Sequence, residues 1–148
     1  MITKKIAKLT FVFCFTMIFQ MYGQEDKYNG NPDTSFETAR TMAFNKQRKQ
    51  AQDTLSHILT KYPDYHDIRS FLATTYSWDG DYKKARKEFA YVLEKDPQNK
   101  STWIAAIKNE IWGDKPYTAL EITTEALKNF PDDAEILYLK ASAQEKTN

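Results

Sequence analysis

The sequence predicts an all-α fold built from stacked helix pairs, and three recurring columns carry that expectation. Pro63, Pro97 and Pro131 stand 34 residues apart. Ala51, Ala85 and Ala119 keep the same step, as do Phe44, Trp78 and Trp112. Agreement of three columns in one register marks an internal repeat. Within each period, apolar residues fall at helical spacing in two runs separated by a short turn, which is what two amphipathic helices need. The expected architecture is a solenoid of about three helix-turn-helix repeats followed by one C-terminal helix.

The chain opens with Lys4, Lys5 and Lys8 and no acid, followed by the apolar run from Leu9 to Met21. Thirteen helical residues rise about 20 Å, short of the roughly 30 Å hydrocarbon core of a bilayer, so this pattern reads as a cleaved signal peptide. Gly23 before Gln24 is the expected cleavage point, which assigns residues 1–23 to the signal and predicts an exported, periplasmic protein. Cys14 lies inside the apolar run and not at its end, so soluble release is expected and not lipid attachment. Processing removes three of the 21 basic residues and none of the 20 acidic ones, leaving a formal charge of −2. Residues 24–33 contain NGNPD, a turn-prone stretch that reads as a flexible leader.

The first repeat, residues 34–65, is expected to begin at Thr34, whose hydroxyl caps the first turn while Glu37 reaches back in a T-x-x-E box. Its helices are expected over Ser35 to Asn45 and Arg48 to Lys61. In the second repeat, residues 66–99, helices from Asp67 to Trp78 and from Lys83 to Glu94 flank the DGDY turn at Gly80. Ile68, Phe71, Leu72 and Tyr76 form one stripe, and Tyr82, Ala85, Phe89, Val92 and Leu93 form the other. Pro97 lacks an amide hydrogen and disfavours helix before it, so it closes the unit. The alanine column lets two helix backbones approach closely where they cross. The third repeat, residues 100–133, is expected to run from Lys100 to Ile111 and, after Pro116 at a permitted first-turn position, on to Asn129. Residues 134–148 supply a capping helix from Ala134 to Lys146, with Asp132, Asp133 and Glu135 suited to the positive end of its dipole. Ile136, Leu137 and Leu139 are expected to cover the third repeat.

Leu72, Ala73, Tyr76, Gly80, Tyr82, Ala85, Phe89 and Pro97 together resemble the signature of a tetratricopeptide repeat. The first unit keeps Ala39, Ala51, Leu55 and Pro63 but has Met42 at the tyrosine place. The third keeps Trp103, Ala119, Ala126 and Pro131, with Glu110 at the tyrosine place and Thr123 at the aromatic one. The resemblance spans about residues 34 to 146 and implies a solenoid whose groove is lined by the first helix of each repeat. A narrower resemblance attaches to NPDTSFETAR, ILTKYPDYHDIRSFLATTYSWDGDYKKARKEF and WIAAIKNE. In that order, after a signal peptide, they are similar to the amino-terminal repeat region of YaiO-family outer-membrane β-barrel proteins of Bacteroidetes-like bacteria. That likeness implies a repeat module separated from its barrel, since no succession of alternating strands follows Lys146.

Composition removes several classes of activity. With one cysteine in 148 residues, neither a disulfide framework nor a Cys-based zinc site can be assembled. A formal charge of +1 gives no broad basic field for nucleic acid. His57 and His66 lie nine residues apart, so no helix presents a two-histidine metal pair. Asp64, Asp67, Asp79 and Asp81 lack the length and distal glutamate of a calcium loop, and read as helix-start and turn residues. Lys83, Lys84, Arg86 and Lys87 read as a solvated outer face. No G-x-S-x-G elbow, no glycine-rich phosphate loop and no cysteine after processing are present, so no enzyme activity, catalytic residue, metal or cofactor is expected.

What remains is a surface. Repeat phase places Arg40 and Phe44, then Phe71, Thr74, Ser77 and Trp78, then Ile104, Lys108, Ile111 and Trp112 on the groove side. The Phe44, Trp78, Trp112 column has two readings: contact with a partner, or filling of the gap between adjacent repeats. The expected function is a noncatalytic periplasmic scaffold that binds a protein or peptide, with an outer-membrane protein as one such partner. No nucleic-acid partner and no membrane-spanning segment in the mature chain are expected. Self-association through the terminal repeats is the other expected contact.

Overall fold

The computed structural model describes residues 28–147; the expected signal peptide, and residues 24–27 of the leader, lie outside them. The helices are α1 (Pro32–Phe44), α2 (Arg48–Lys61), α3 (His66–Trp78), α4 (Tyr82–Lys95), α5 (Lys100–Trp112), α6 (Pro116–Asn129) and α7 (Ala134–Glu145), and no strand occurs among the described residues. Each helix packs against the next in the chain, and α5 also touches α3 and α7. Hairpins therefore stack in sequence order, and each seals the apolar flank of its neighbour.

The 34-residue period is written into the backbone as well as the side chains. The turn inside each hairpin passes through one left-handed residue: Lys46 (φ 65°), Gly80 (φ 80°) and Asp114 (φ 54°). In each, the amide of the following residue donates back to the helix, Gln47 to the Met42 carbonyl, Asp81 to that of Tyr76 and Lys115 to that of Glu110, all at 2.9 Å. This satisfies a carbonyl that the helix end would leave bare. Only the middle repeat has glycine at the left-handed position, where a side chain is disfavoured. The proline loops are pinned in step too. Arg69 Nη2 donates to the Pro63 carbonyl at 2.7 Å, and Trp103 Nε1, 34 residues on, donates to that of Pro97 at 2.9 Å.

Ala51, Ala85 and Ala119 are fully buried, as close helix crossing requires. Around them sit Leu55, Ile58 and Ile68 in the first core cluster, Phe89 and Ala73 in the second, and Ile107, Ala126 and Ile136 in the third. Burying a side chain of this size contributes about 2 kcal/mol, so the stack rests on a modest number of such residues.

Three local expectations are corrected. Helix α1 starts at Pro32, two residues before Thr34, because Asn31 is the better cap: its side-chain oxygen accepts from the amides of Asp33 at 2.9 Å and Thr34 at 3.1 Å. Tyr28, assigned to a flexible leader, is 6% exposed and lies edge-on to His57 and Tyr62. Its hydroxyl donates to the Asn31 carbonyl at 2.7 Å and lies 2.6 Å from Ser35 Oγ, which ties residues 28–31 to the first hairpin. In α7, Ile136 and Leu139 are buried against the third repeat, whereas Leu137 is 45% exposed. A step of one residue turns a helix by about 100°, so Leu137 cannot share the face of Ile136.

The departure at Glu110 becomes intelligible at the junctions between repeats. Between the first and second, Arg48 and Gln52 of α2 reach Asp79, just past the end of α3, Gln52 Nε2 donating to Asp79 Oδ2 at 2.8 Å. Tyr76 supplies a ring one turn earlier. Between the second and third, Arg86, which is 34 residues after Gln52, donates from Nε at 2.8 Å and from Nη2 at 2.5 Å to the two carboxylate oxygens of Glu110. Glu110 occupies the place of Tyr76 and is 1% exposed. Tyr82 takes the place of Arg48, and its ring lies over Gly113, where a Cβ would stand 3.0 Å from it. The acid has moved into the ring's column, and a ring from α4 covers the place the acid held.

Candidate functional site

The first helices of the hairpins, α1, α3 and α5, jointly line a trough. One part, about 360 Å³, is bounded by Phe36, Arg40, Asp67, Ser70 and Phe71 and continues across Thr74, Ser101 and Ala105. Those last three residues also border a second concavity of about 240 Å³, which runs on past Ser77, Trp78, Ile104 and Lys108 to Trp112.

At the amino-terminal end the trough carries a continuous aromatic ladder. Phe36 and Phe71 meet edge to face at 5.7 Å, Phe71 and Trp78 meet likewise at 6.0 Å, and Phe44 lies tilted 5.5 Å from Trp78. These separations fall within the favoured range for ring pairs. The Arg40 guanidinium sits 5.6 Å from the Phe36 centroid and 5.9 Å from that of Phe71, while Nη1 lies 3.4 Å from Glu37. A cation held over two ring faces is partly compensated and still accessible. Trp78 thus packs between repeats and also borders the trough, whereas Phe44 and Trp112 are 64% and 51% exposed.

The structure places most, but not all, of the sequence-derived candidates on this face. Arg40, Phe71 and Thr74 border the first concavity, and Thr74, Ser77, Trp78, Ile104, Lys108 and Trp112 the second. Phe44 joins them through the ladder. Ile111 is 8% exposed and packs with Ile107 and Ile136 in the third core cluster. Ser77 is 4% exposed, and its hydroxyl has no hydrogen-bond partner among the described residues. Lys108 is engaged by Glu135 of α7 at 2.7 Å, so the cation near Trp112 is already paired. Phe36, Ser70, Ser101 and Ala105 were missed. Phe36 lies two periods before Ile104, and Ser70 one, so extending the Ile104 column backwards would have found both.

The other constellations are dispersed over separate partners. Asp79 faces α2, and Asp81 pairs with Lys84 at 2.6 Å. Asp64 accepts from the Tyr91 hydroxyl at 2.7 Å and pairs with Lys95 at 3.3 Å. The Tyr91 phenol, then Lys95, holds the Asp64 carboxyl below the usual carboxylate range; Lys84 does the same for Asp81, and Lys100 for Asp133. His66 Nδ1 lies 3.8 Å from Asp96, and no group of histidines and carboxylates among the described residues has the arrangement of a metal site. The trough therefore offers rings, hydroxyls, the accessible Arg40 guanidinium and the exposed Asp67 carboxylate at its border, which is chemistry for recognition.

Helix pairs stacked at 34-residue steps, each with a left-handed hairpin turn and a closing proline loop, give the chain the all-α fold of a tetratricopeptide-repeat solenoid. The family model described as "Tetratricopeptide repeat" matches residues 45–110. Solved structures of MamA share the fold. MamA AMB-1 is 17% identical with a TM-score of 0.69, covering 95% of this chain and 82% of that one. A MamA mutant is 17% identical with a TM-score of 0.64, covering 88% and 75%. No curated protein matches the sequence.

Proposed function

We propose that the chain is a noncatalytic, exported scaffold that holds a segment of a protein partner in the trough formed by α1, α3 and α5. One observation carries this reading: of the large aromatic side chains at a 34-residue step, Trp78 and Trp112 border a concavity of about 240 Å³, Phe44 packs on Trp78, and Phe44 and Trp112 keep more than half their surface exposed. Exposed aromatics beside a preformed concavity give large contact area at small entropic loss, the usual makeup of interaction hot spots. Arg40 orients an acidic group on the partner, and the unpartnered Ser77 hydroxyl accepts or donates one further hydrogen bond at the base of the concavity. Periplasmic residence rests on the signal-like residues 1–23.

A photo-crosslinking side chain placed at position 44 or 112 in cell-resident protein tests the trough, with position 117 on α6, also exposed, as the control. Crosslinks confined to 44 and 112, and lost in Arg40→Ala, support the reading; equal yields at 117 overturn it. Trp112→Ala is expected to abolish capture while lowering stability by about 1 kcal/mol or less, since half of the ring is already in water. Fractionation followed by intact-mass measurement tests export: a chain starting at Gln24 is expected in the periplasm, and a full-length chain in the cytoplasm contradicts it.

A further inference from the structure

A second cavity, of about 220 Å³, lies between α4, α5 and α6, with Phe89 contributing to its wall as well as to that of the trough. Its origin is visible in the repeat columns. The place filled by Leu72 in the second repeat, buried at 4% exposure, is held in the third by Ala106, which lines the cavity. Leu93, Ile122 and the ring of Trp103 form the rest of its apolar wall. Trp103 is held in position by the bond from Nε1 to the Pro97 carbonyl, so this wall is preorganised. The charged groups at the cavity, Arg86 and Glu110, are joined by two hydrogen bonds and neutralise each other.

We propose that this cavity is a binding site for a small neutral aromatic molecule of one or two fused rings. An apolar cavity of about 150 Å³ accommodates benzene, and this one is larger. A ring gains dispersion and edge contacts against Trp103 and Phe89. A charged ligand finds no free counter-charge there and bears an uncompensated desolvation cost. The site is separate from the trough and does not depend on its function.

Indole serves as the probe, titrated into the full chain and followed by ¹⁵N–¹H NMR. Saturable shifts are expected at the amides of Ala90, Ala106 and Ile122. Filling the space with Ala106→Leu, which restores the residue found at position 72, is expected to weaken binding about tenfold, and benzoate is expected to bind about tenfold more weakly than indole. Ala90→Leu, at an exposed position on the rim, gives a second filling variant should Ala106→Leu disturb folding. Trp112→Ala in the trough is expected to leave indole binding unchanged. The proposal is overturned by the absence of saturable shifts, by undiminished binding in both filling variants, by equal binding of benzoate, or by loss of binding in Trp112→Ala.

Discussion

The two junctions between hairpins solve one problem in two ways. At the first, Arg48 and Gln52 hold Asp79 at the rim, where the Arg48 and Asp79 side chains keep 35% and 34% of their surface. At the second, Arg86 reaches one turn deeper to Glu110, whose side chain keeps 1%. Shifting the acid from the column of Asp79 to that of Tyr76 moves the same kind of pairing from solvent into the interior. The lesson concerns energy as well as geometry. A rim pair is worth little because water already solvates both members, whereas a buried carboxylate that loses its cation is stranded in a poor solvent.

The strongest way to break this comparison is to remove the cations. Arg86→Ala is expected to cost about 3 kcal/mol in urea unfolding, because the buried Glu110 carboxylate loses its cation and keeps only the neutral Asn109 amide, which donates to Oε1 at 2.8 Å. Glu110→Ala should cost less, since the Arg86 side chain, 34% exposed, can turn to water. Replacing both together, with Arg86→Met and Glu110→Leu, is expected to recover most of the loss; no recovery in such a cycle would refute the pairing as its cause.

The hairpin turns extend the comparison to all three repeats. Gly80→Ala is expected to destabilise by about 1–2 kcal/mol, because alanine is disfavoured at φ 80°. Lys46→Gly relieves a side chain from the same region, and is expected to raise stability by a few tenths to about 1 kcal/mol after the entropic cost of glycine in the unfolded chain. Thermal melts of the two variants should move in opposite directions.

Asp79→Ala probes the rim pair and should cost about 1–2 kcal/mol, since it also removes the acceptor of the buried Gln52 amide; the part owed to Arg48 shrinks further at 1 M salt. The Arg86→Ala effect should change little over the same salt range, because the Glu110 carboxylate is shielded from counterions. Equal salt sensitivity at both junctions would remove the distinction.

The smallest effect is in pH. Asp64, Asp81 and Asp133 titrate below the carboxylate range when folded, so the unfolded chain takes up protons first as pH falls through about 4. Their contribution is complete at neutral pH and is lost in acid. Lys84, Lys95 and Tyr65 are raised by bonds to Asp81, Asp64 and Asp33, so their contribution is present below about pH 10 and disappears as pH rises through the folded values. Urea midpoints should be level from about pH 5 to 9 and fall on both sides.

The period, the helix pairs, the buried alanines and most of the trough could be read from the residues, because a one-dimensional stack repeats the same environment every 34 positions and the same side chains answer it. Helix α1 was misplaced because two adequate caps, Asn31 and Thr34, stand close together, and only the fold selects between them. Ile111 and Leu137 were misassigned because one helical step decides between core and solvent. The sequence alone therefore settles which elements exist and in what order they stack. Whether Glu110 is a defect or half of a buried pair, and whether Ala106 leaves space, depends on what the neighbouring hairpin places opposite. Glu110 lies 24 positions from Arg86, and Ala106 lies 13 and 17 from Leu93 and Phe89; distance in space between them is set only when the hairpins close on one another.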